Sequence, residues 1–274
     1  MTEYNFETHE PVDLTVETGK GSVQVTCTDT TESRITVEGR DADEVHVEQN
    51  GNRIDVIAPR NRGGFFGGDA EIIVTAVVPT ASNVAAKTGS ADVLIEGDAG
   101  STMVKSGSGN VRIATSRGAS LIETGSGDIW VDHAQAELRV KSGSGDVNLG
   151  HGGGAVAVST GSGDVEIGMS ESAAVVKTGS GDLRVRESHD DVSMATGSGD
   201  FLLDHAKRGR ITAKGASGDV VVGIPTGVPV WTDLTTVSGR IRSSLEGAGQ
   251  PDEGQDHVEL RAKTVSGDIV LNQV

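Results

Sequence analysis

Thr160-Gly161-Ser162-Gly163-Asp164-Val165-Glu166-Ile167 and Thr178-Gly179-Ser180-Gly181-Asp182-Leu183-Arg184-Val185 are consecutive copies of one phrase, 18 residues apart. The third position of its Gly-Ser-Gly-Asp core falls at Ala91, Gly109, Gly127, Gly145, Gly163, Gly181 and Gly199, always at that 18-residue step. The spacing then loosens to Gly218, Gly239 and Gly267, while Gly21 begins an early echo, Gly21-Ser22-Val23-Gln24-Val25. A short strict repeat predicts a solenoid, because one unit cannot bury its apolar face alone and must stack on its neighbours.

Within the repeat, aliphatic residues alternate with polar ones. Val111/Ile113, Ile129/Val131, Val147/Leu149, Val165/Ile167, Leu183/Val185 and Phe201/Leu203 occupy a first pair of sites. Leu138/Val140, Val156/Val158, Ala174/Val176 and Val192/Met194 occupy a second. Alternation at period two puts each pair on one face, and that face is read as the inside. Each coil then consists of two short strands and two turns. Two other folds of similar period are rejected by the residues. A hexapeptide helix needs an aliphatic every sixth position, but counting from Val111 gives Arg117 and Glu123. The calcium-binding nonapeptide roll needs its glycine phrase every nine residues, whereas the chain reads Gln135-Ala136-Glu137 nine beyond Gly127. The expected fold is therefore all-β: a right-handed parallel β-solenoid with 18-residue coils, the hand following the general rule for parallel crossovers. No segment carries helical periodicity with caps.

Residues 1–85 alternate without the repeat and are expected to form a small β-rich N-terminal cap, followed by the solenoid over 86–274. In the cap region, Val12–Val16 and Val23–Cys27 read as a hairpin about Gly19-Lys20-Gly21. From about residue 211 the coils loosen. Trp231 is placed to plug the far end, Ser244 to Asp256 reads as a solvated acidic excursion, and the strands at 258–262 and 269–271 are expected to finish the stack.

Composition narrows the function classes. Aromatics are 3% of the chain and Gly is 39 of 274 residues, which suits thin stacked coils and not a bulky globular core. The net charge of −17 repels phosphate backbones and anionic lipid, so nucleic acid is not an expected partner. No apolar run approaches the roughly 20 residues a membrane helix needs. The N-terminus has neither a basic nor an apolar leader region, so the expected location is the cytoplasm. Cys27, the single cysteine, reads as a small core residue.

Several repeated side chains are candidate sites. Asp92, Asp128, Asp146, Asp164, Asp182 and Asp200 recur in register, with Asn110 interrupting. They could form a cation ladder, but Asx-type caps on the glycine-rich turns account for both Asp and Asn. Lys87, Lys105, Lys141, Lys177 and Lys214 recur five residues earlier, placed to offset the repulsion among the carboxylates. The row Ser106, Thr124, Ser142, Thr160, Thr178 and Thr196 reads as hydrogen bonds between coils. His133, His151 and His205 share a register, yet too few ligands accompany them for zinc. Asp132-His133 and Asp204-His205 are sequence neighbours that a strand points to opposite faces, which argues against Ser/His/Asp catalysis. The expected binding residues lie in Arg60-Asn61-Arg62-Gly63-Gly64-Phe65-Phe66-Gly67-Gly68. There Arg60, Arg62, Phe65 and Phe66 combine cations with two adjacent aromatics.

These features together resemble the bacterial β-strand-repeat family of unknown function often labelled "putative adhesin". The resemblance rests on the opening Phe6-Glu7-Thr8-His9-Glu10-Pro11-Val12, the Gly/aromatic loop near residue 65 and the repeats themselves. It also includes Val230-Trp231-Thr232-Asp233-Leu234 and the closing Thr264-Val265-Ser266-Gly267-Asp268-Ile269. It implies a β-solenoid without known catalysis, some relatives being linked to envelope-stress systems. The expectation is a non-enzymatic scaffold without metal or cofactor, binding a protein partner or itself through its ends or one face. The alternative is an envelope-associated ligand binder.

Overall fold

The computed structural model describes residues 1–59, 71–247 and 254–274. They form two mostly parallel β-sheets, and the one helical element among them is a 3₁₀ turn at Ala42–Glu44. Two compact units, Met1–Ala136 and Glu137–Val274, are described in turn.

In the first unit, one sheet runs in the order Thr2–Glu7, Glu32–Gly39, Glu71–Pro79, Lys20–Thr28, Asp92–Ala99, Val111–Ser116 and Ile129–Ala134. Its first two joints are antiparallel and the rest parallel. The other runs His46–Asn50, Arg53–Ile57, Asp13–Thr18, Asn83–Thr88, Thr102–Ser106 and Ser120–Thr124, antiparallel only at its first joint. The strands of residues 1–85 thus share both sheets with the strands that follow them. Asp13–Thr18 and Lys20–Thr28 are not the expected hairpin, since they belong to different sheets. Gly19-Lys20-Gly21 is a corner, and the echo at Gly21 is a full member of the stack, with Val23 beside Val93 and Leu14 beside Val84. Gly21 has φ 121°, and a Cβ there would fall 2.0 Å from the Ile72 carbonyl oxygen, so the corner admits only glycine.

In the second unit all joints are parallel. One sheet orders Val147–Gly152, Val165–Ser170, Leu183–Ser188, Phe201–Ala206, Val220–Ile224, Ile269–Gln273 and Ile241–Ser243. The other orders Leu138–Ser142, Val156–Thr160, Ala174–Thr178, Val192–Thr196, Gly209–Lys214, Val258–Thr264 and Val230–Thr236. Val165 stands beside Leu183 and Leu183 beside Phe201, whereas Phe201 pairs with Val220. That step of 19 absorbs one extra residue at the Lys207-Arg208-Gly209 corner.

The closing segments do not finish the stack. Val258–Thr264 and Ile269–Gln273 slot in beside Gly209–Lys214 and Val220–Ile224, leaving Val230–Thr236 and Ile241–Ser243 outermost. The first unit does the same in reverse, with residues 13–28 lying inside Arg53–Ile57 and Glu71–Pro79. Each of these sandwiched segments has a neighbouring strand on both edges, whereas Thr2–Glu7 forms the edge of its sheet. Trp231 does not plug the end. It is 52% exposed, with the Arg261 guanidinium 5.6 Å from its ring centre.

The predicted inward pairs are all buried, and with the alternation they form the core between the two sheets. A third inward position, unseen in the aliphatic pattern, sits at the second corner. It is always small: Ala99, Ser116 and Ala134 in the first unit, Gly152, Ser170, Ser188 and Ala206 in the second. A Cβ on Gly152 would meet Val156 Cγ2 at 2.9 Å, which shows how little room the corner leaves.

Val176 is wholly buried while its neighbour Val175 is 40% exposed. Val176→Asp should abolish cooperative folding or destabilise by more than about 3 kcal/mol, because an unpaired charge enters a closed apolar row. Val175→Lys should stay within about 0.5 kcal/mol. Urea titration of both variants checks this, and comparable losses would mean that inside and outside are reversed.

Candidate functional site

The Gly-Ser-Gly-Asp corner is where most repeated polar side chains meet. Its third glycine has no room for a side chain: a Cβ on Gly163 would lie 2.0 Å from the Gly145 carbonyl oxygen, and one on Gly181 equally close to that of Gly163. Close approach is therefore the reason for glycine in the regular repeats. The first glycine adds a ladder bond, with Gly161 N–H donating to Gly143 O and Gly179 N–H to Gly161 O, both at 3.0 Å.

The aspartates and hydroxyls exchange the roles expected of them. Asp92, Asp146, Asp164, Asp182, Asp200 and Asp219 each use Oδ1 to accept the N–H of the equivalent residue in the next coil, not of their own turn. Asp164 N–H donates to Asp146 Oδ1 at 2.9 Å, Asp182 N–H to Asp164 at 2.8 Å, Asp200 N–H to Asp182 and Asp219 N–H to Asp200, both at 2.7 Å. Asn110 does the same for Asp128 at 3.0 Å. The hydroxyls act locally: Gly109, Gly127, Gly145, Gly163 and Gly181 donate their N–H to Ser106, Thr124, Ser142, Thr160 and Thr178 three residues back, at 2.8–3.1 Å. Geometry explains the exchange. The hydroxyl side chains point inward beside the amide of their own turn, while the aspartates stand outside at the strand start facing the next backbone amide. One inter-coil hydroxyl contact, Thr88 Oγ1 to Ser106 Oγ at 3.1 Å, survives from the expectation.

The remaining candidates are dispersed. His151 lies beside Met169 and 3.0 Å from Glu171, and His205 lies beside Glu187 with Nδ1 3.4 Å from the Arg186 carbonyl. His189 contacts Glu187 at 2.5 Å, and this hydrogen bond holds the Glu187 carboxyl below its usual range. Asp204 is paired with Arg184 at 3.0 Å, and Asp132 lies 3.8 Å from Arg112. Among the described residues no group of three or more His, Cys, Asp or Glu is arranged to hold a metal ion. Of the lysines expected to offset the aspartates, Lys105 pairs instead with Glu123 across the sheet, at 2.9 Å. Arg60, Arg62, Phe65 and Phe66 lie outside the described residues.

The second unit also carries an open cavity of about 450 Å³ that the repeat pattern does not announce, lined by Asp190, Asp191, Arg208, Arg210, Asp256 and Glu259 among others. The only sequence signal for it is the lengthened corner at Lys207-Arg208-Gly209 next to the acidic excursion. Its charges answer one another: Arg210 Nε to Glu259 at 2.7 Å, Arg208 Nη1 to Asp256 at 3.6 Å, and Arg210 N–H to Asp191 Oδ1 at 2.7 Å. Hydrogen bonding to Arg210, then to Arg261, lowers the Glu259 pKa, and the same Glu259 contact raises that of Arg210.

The outer face of the second unit's Leu138–Ser142 sheet runs against the overall charge. Arg139, Lys141, Lys177, Arg210, Lys214, Arg261 and Lys263 sit at outward positions of its strands, against Glu259 and Asp233. A chain of net charge −17 thus presents a locally basic sheet face.

Asp182 separates acceptor from charge. Asp182→Ala should cost about 1 kcal/mol through the lost acceptor for Asp200 N–H. Asp182→Asn should be neutral or slightly stabilising, since it keeps Oδ1 and relieves repulsion from carboxylates one strand away, about 1 kcal/mol in water. Chemical denaturation of the pair is the check. Cys27 is 4% exposed, and burial, with Asp98 adding to it, pushes its thiol up to about 11 from 9.0. Iodoacetamide should therefore label it at pH 8 only after unfolding. The stability gained from the protonated thiol should be full below pH 9.0 and fall as the pH rises towards 11.

No curated protein matches the sequence. Among solved structures the chain is similar to a "putative adhesin" from Parabacteroides distasonis, at 15% identity over all of this chain and 96% of that one, with TM-score 0.40. A "putative adhesin" from Bacteroides fragilis matches at 13% identity over 98% and 96%, TM-score 0.38. A "putative lipid binding protein" from P. distasonis matches at 11% over 100% and 96%, TM-score 0.35. The family model described as Toastrack DUF4097 matches residues 12–272, nearly the whole chain, and this protein belongs to that family.

Proposed function

We propose that this chain is a non-enzymatic scaffold, a right-handed β-solenoid of 18-residue coils that works in the cytoplasm as an interaction or self-assembly module. The observation that carries the reading is the use of the repeated polar side chains. The aspartate row is taken up by amides of the next coil, and the hydroxyl row by amides of its own turn. The groups that recur most regularly are thus spent on stacking. What the stacking leaves for function is a set of regular outward rows on the two sheets, suited to contact with another macromolecule and not to bond-making on a small one.

A second reading, an envelope-associated ligand binder, draws on the outermost strands of the second unit. There Trp231 and Ile241 are 52% and 47% exposed, and Val237 beside them 76%. Fractionation of native cells under gentle lysis separates the two. The first reading expects the chain in the soluble fraction in complexes well above its monomer mass of 28.1 kDa. Recovery only with the envelope favours the second reading, and a soluble 28.1 kDa monomer without any partner would sink both.

A further inference from the structure

We propose that two copies of this chain associate through the Gly-Ser-Gly-Asp corner of the second unit, the lysine row of each copy meeting the aspartate row of the other. The proposal rests on the interaction-module reading and names its surface and its partner. Four successive coils of this unit carry Lys177, Ala195, Lys214 and Lys263 side by side at the end of one strand. Across the corner, five residues on, the same coils carry Asp182, Asp200, Asp219 and Asp268. The three lysines are exposed, as are Asp182, Asp200 and Asp219. Among the described residues Lys177, Lys214 and Lys263 form no ion pair, while Asp268 lies 3.5 Å from Arg242.

Three features select a second copy as the occupant. Opposite charges flank a single corner, so a two-fold axis running along the ridge places each lysine row against the other copy's aspartate row. Coil then faces equivalent coil: Lys177, Lys214 and Lys263 face Asp182, Asp219 and Asp268 of the second copy, and the reverse pairs form at once. Such an isologous contact closes on itself. The spacing also agrees, because both rows are set by the strand separation of about 4.8 Å in the same kind of sheet. The ridge between the rows is low in the first three coils, where Gly179-Ser180, Gly197-Ser198 and Gly215-Ala216 form it, and in the fourth it carries Val265, 54% exposed, which the axis brings against the same residue of the second copy. The net charge of −17 opposes association at a distance. At physiological salt, however, the screening length is about 8 Å, so distant charges fade while contact pairs persist.

Sedimentation of the full chain near 0.15 M salt should give about twice the monomer mass of 28.1 kDa, reverting to monomer near 1 M salt. Lys177→Glu/Lys214→Glu/Lys263→Glu should be monomeric at both. Asp182→Asn/Asp219→Asn should also lose the dimer while retaining its melting temperature, because asparagine keeps the Oδ1 that the next coil needs, as Asn110 does. A dimer that persists in both well-folded variants would overturn this interface and leave self-assembly standing. A wild-type chain that is monomeric throughout would overturn the interface and the self-assembly reading together, partner binding then being tested separately by fractionation.

Discussion

Backbone meets backbone at each corner of the repeat, and the rest of the structure follows from that contact. With a Cβ on Gly163 only 2.0 Å from the Gly145 carbonyl, no other residue fits, and the chain must turn from one sheet to the other at this point. Once the corner is fixed, the strand that follows falls into parallel register with its neighbour, and every inward aliphatic lands on an inward aliphatic. Val165, Leu183 and Phe201 line up in this way, each at most 2% exposed. The corner also sets where polar side chains reach. A hydroxyl one residue before it turns in and caps its own turn, and an aspartate one residue after it reaches outward to the next coil.

This arrangement concentrates charge in rows. Carboxylates one strand apart repel by about 1 kcal/mol in water, and the structure offsets that by making each one an acceptor for a backbone N–H. Because an N–H to a carboxylate is a charge-assisted bond, it is among the stronger hydrogen bonds a surface offers. Asn110 shows that the acceptor and not the charge is what stacking requires. The charge is then surplus to the fold, and with the lysine row beside it the second unit acquires a surface with two opposite faces around one corner.

The ends of the chain illustrate a separate constraint. A parallel sheet exposes an unpaired edge wherever it stops, and such edges recruit other strands. In the first unit antiparallel strands close the outer side, through Thr2–Glu7 against Glu32–Gly39 and His46–Asn50 against Arg53–Ile57. In the second unit the outermost strands are parallel, short in one sheet and partly solvent-facing in the other, with Trp231 under Arg261. Sandwiching Val258–Thr264 and Ile269–Gln273 keeps the C-terminal strands from fraying, at the expense of a long connection, the acidic excursion after Ser244.

The sequence by itself determined the periodicity, the all-β character and the inward aliphatic pairs. These follow from short-range rules, since alternation and glycine phrases are properties of neighbouring residues. Tertiary structure alone decided which coil lies beside which. Val258–Thr264 and Ile269–Gln273 return inside Val230–Thr236 and Ile241–Ser243, and Gly19-Lys20-Gly21 is a corner and not a hairpin turn. The same is true of the exchanged roles of aspartate and hydroxyl. Either side chain can accept a backbone N–H at that spacing, and only the direction in which each leaves the strand selects between the amide of its own turn and that of the next coil.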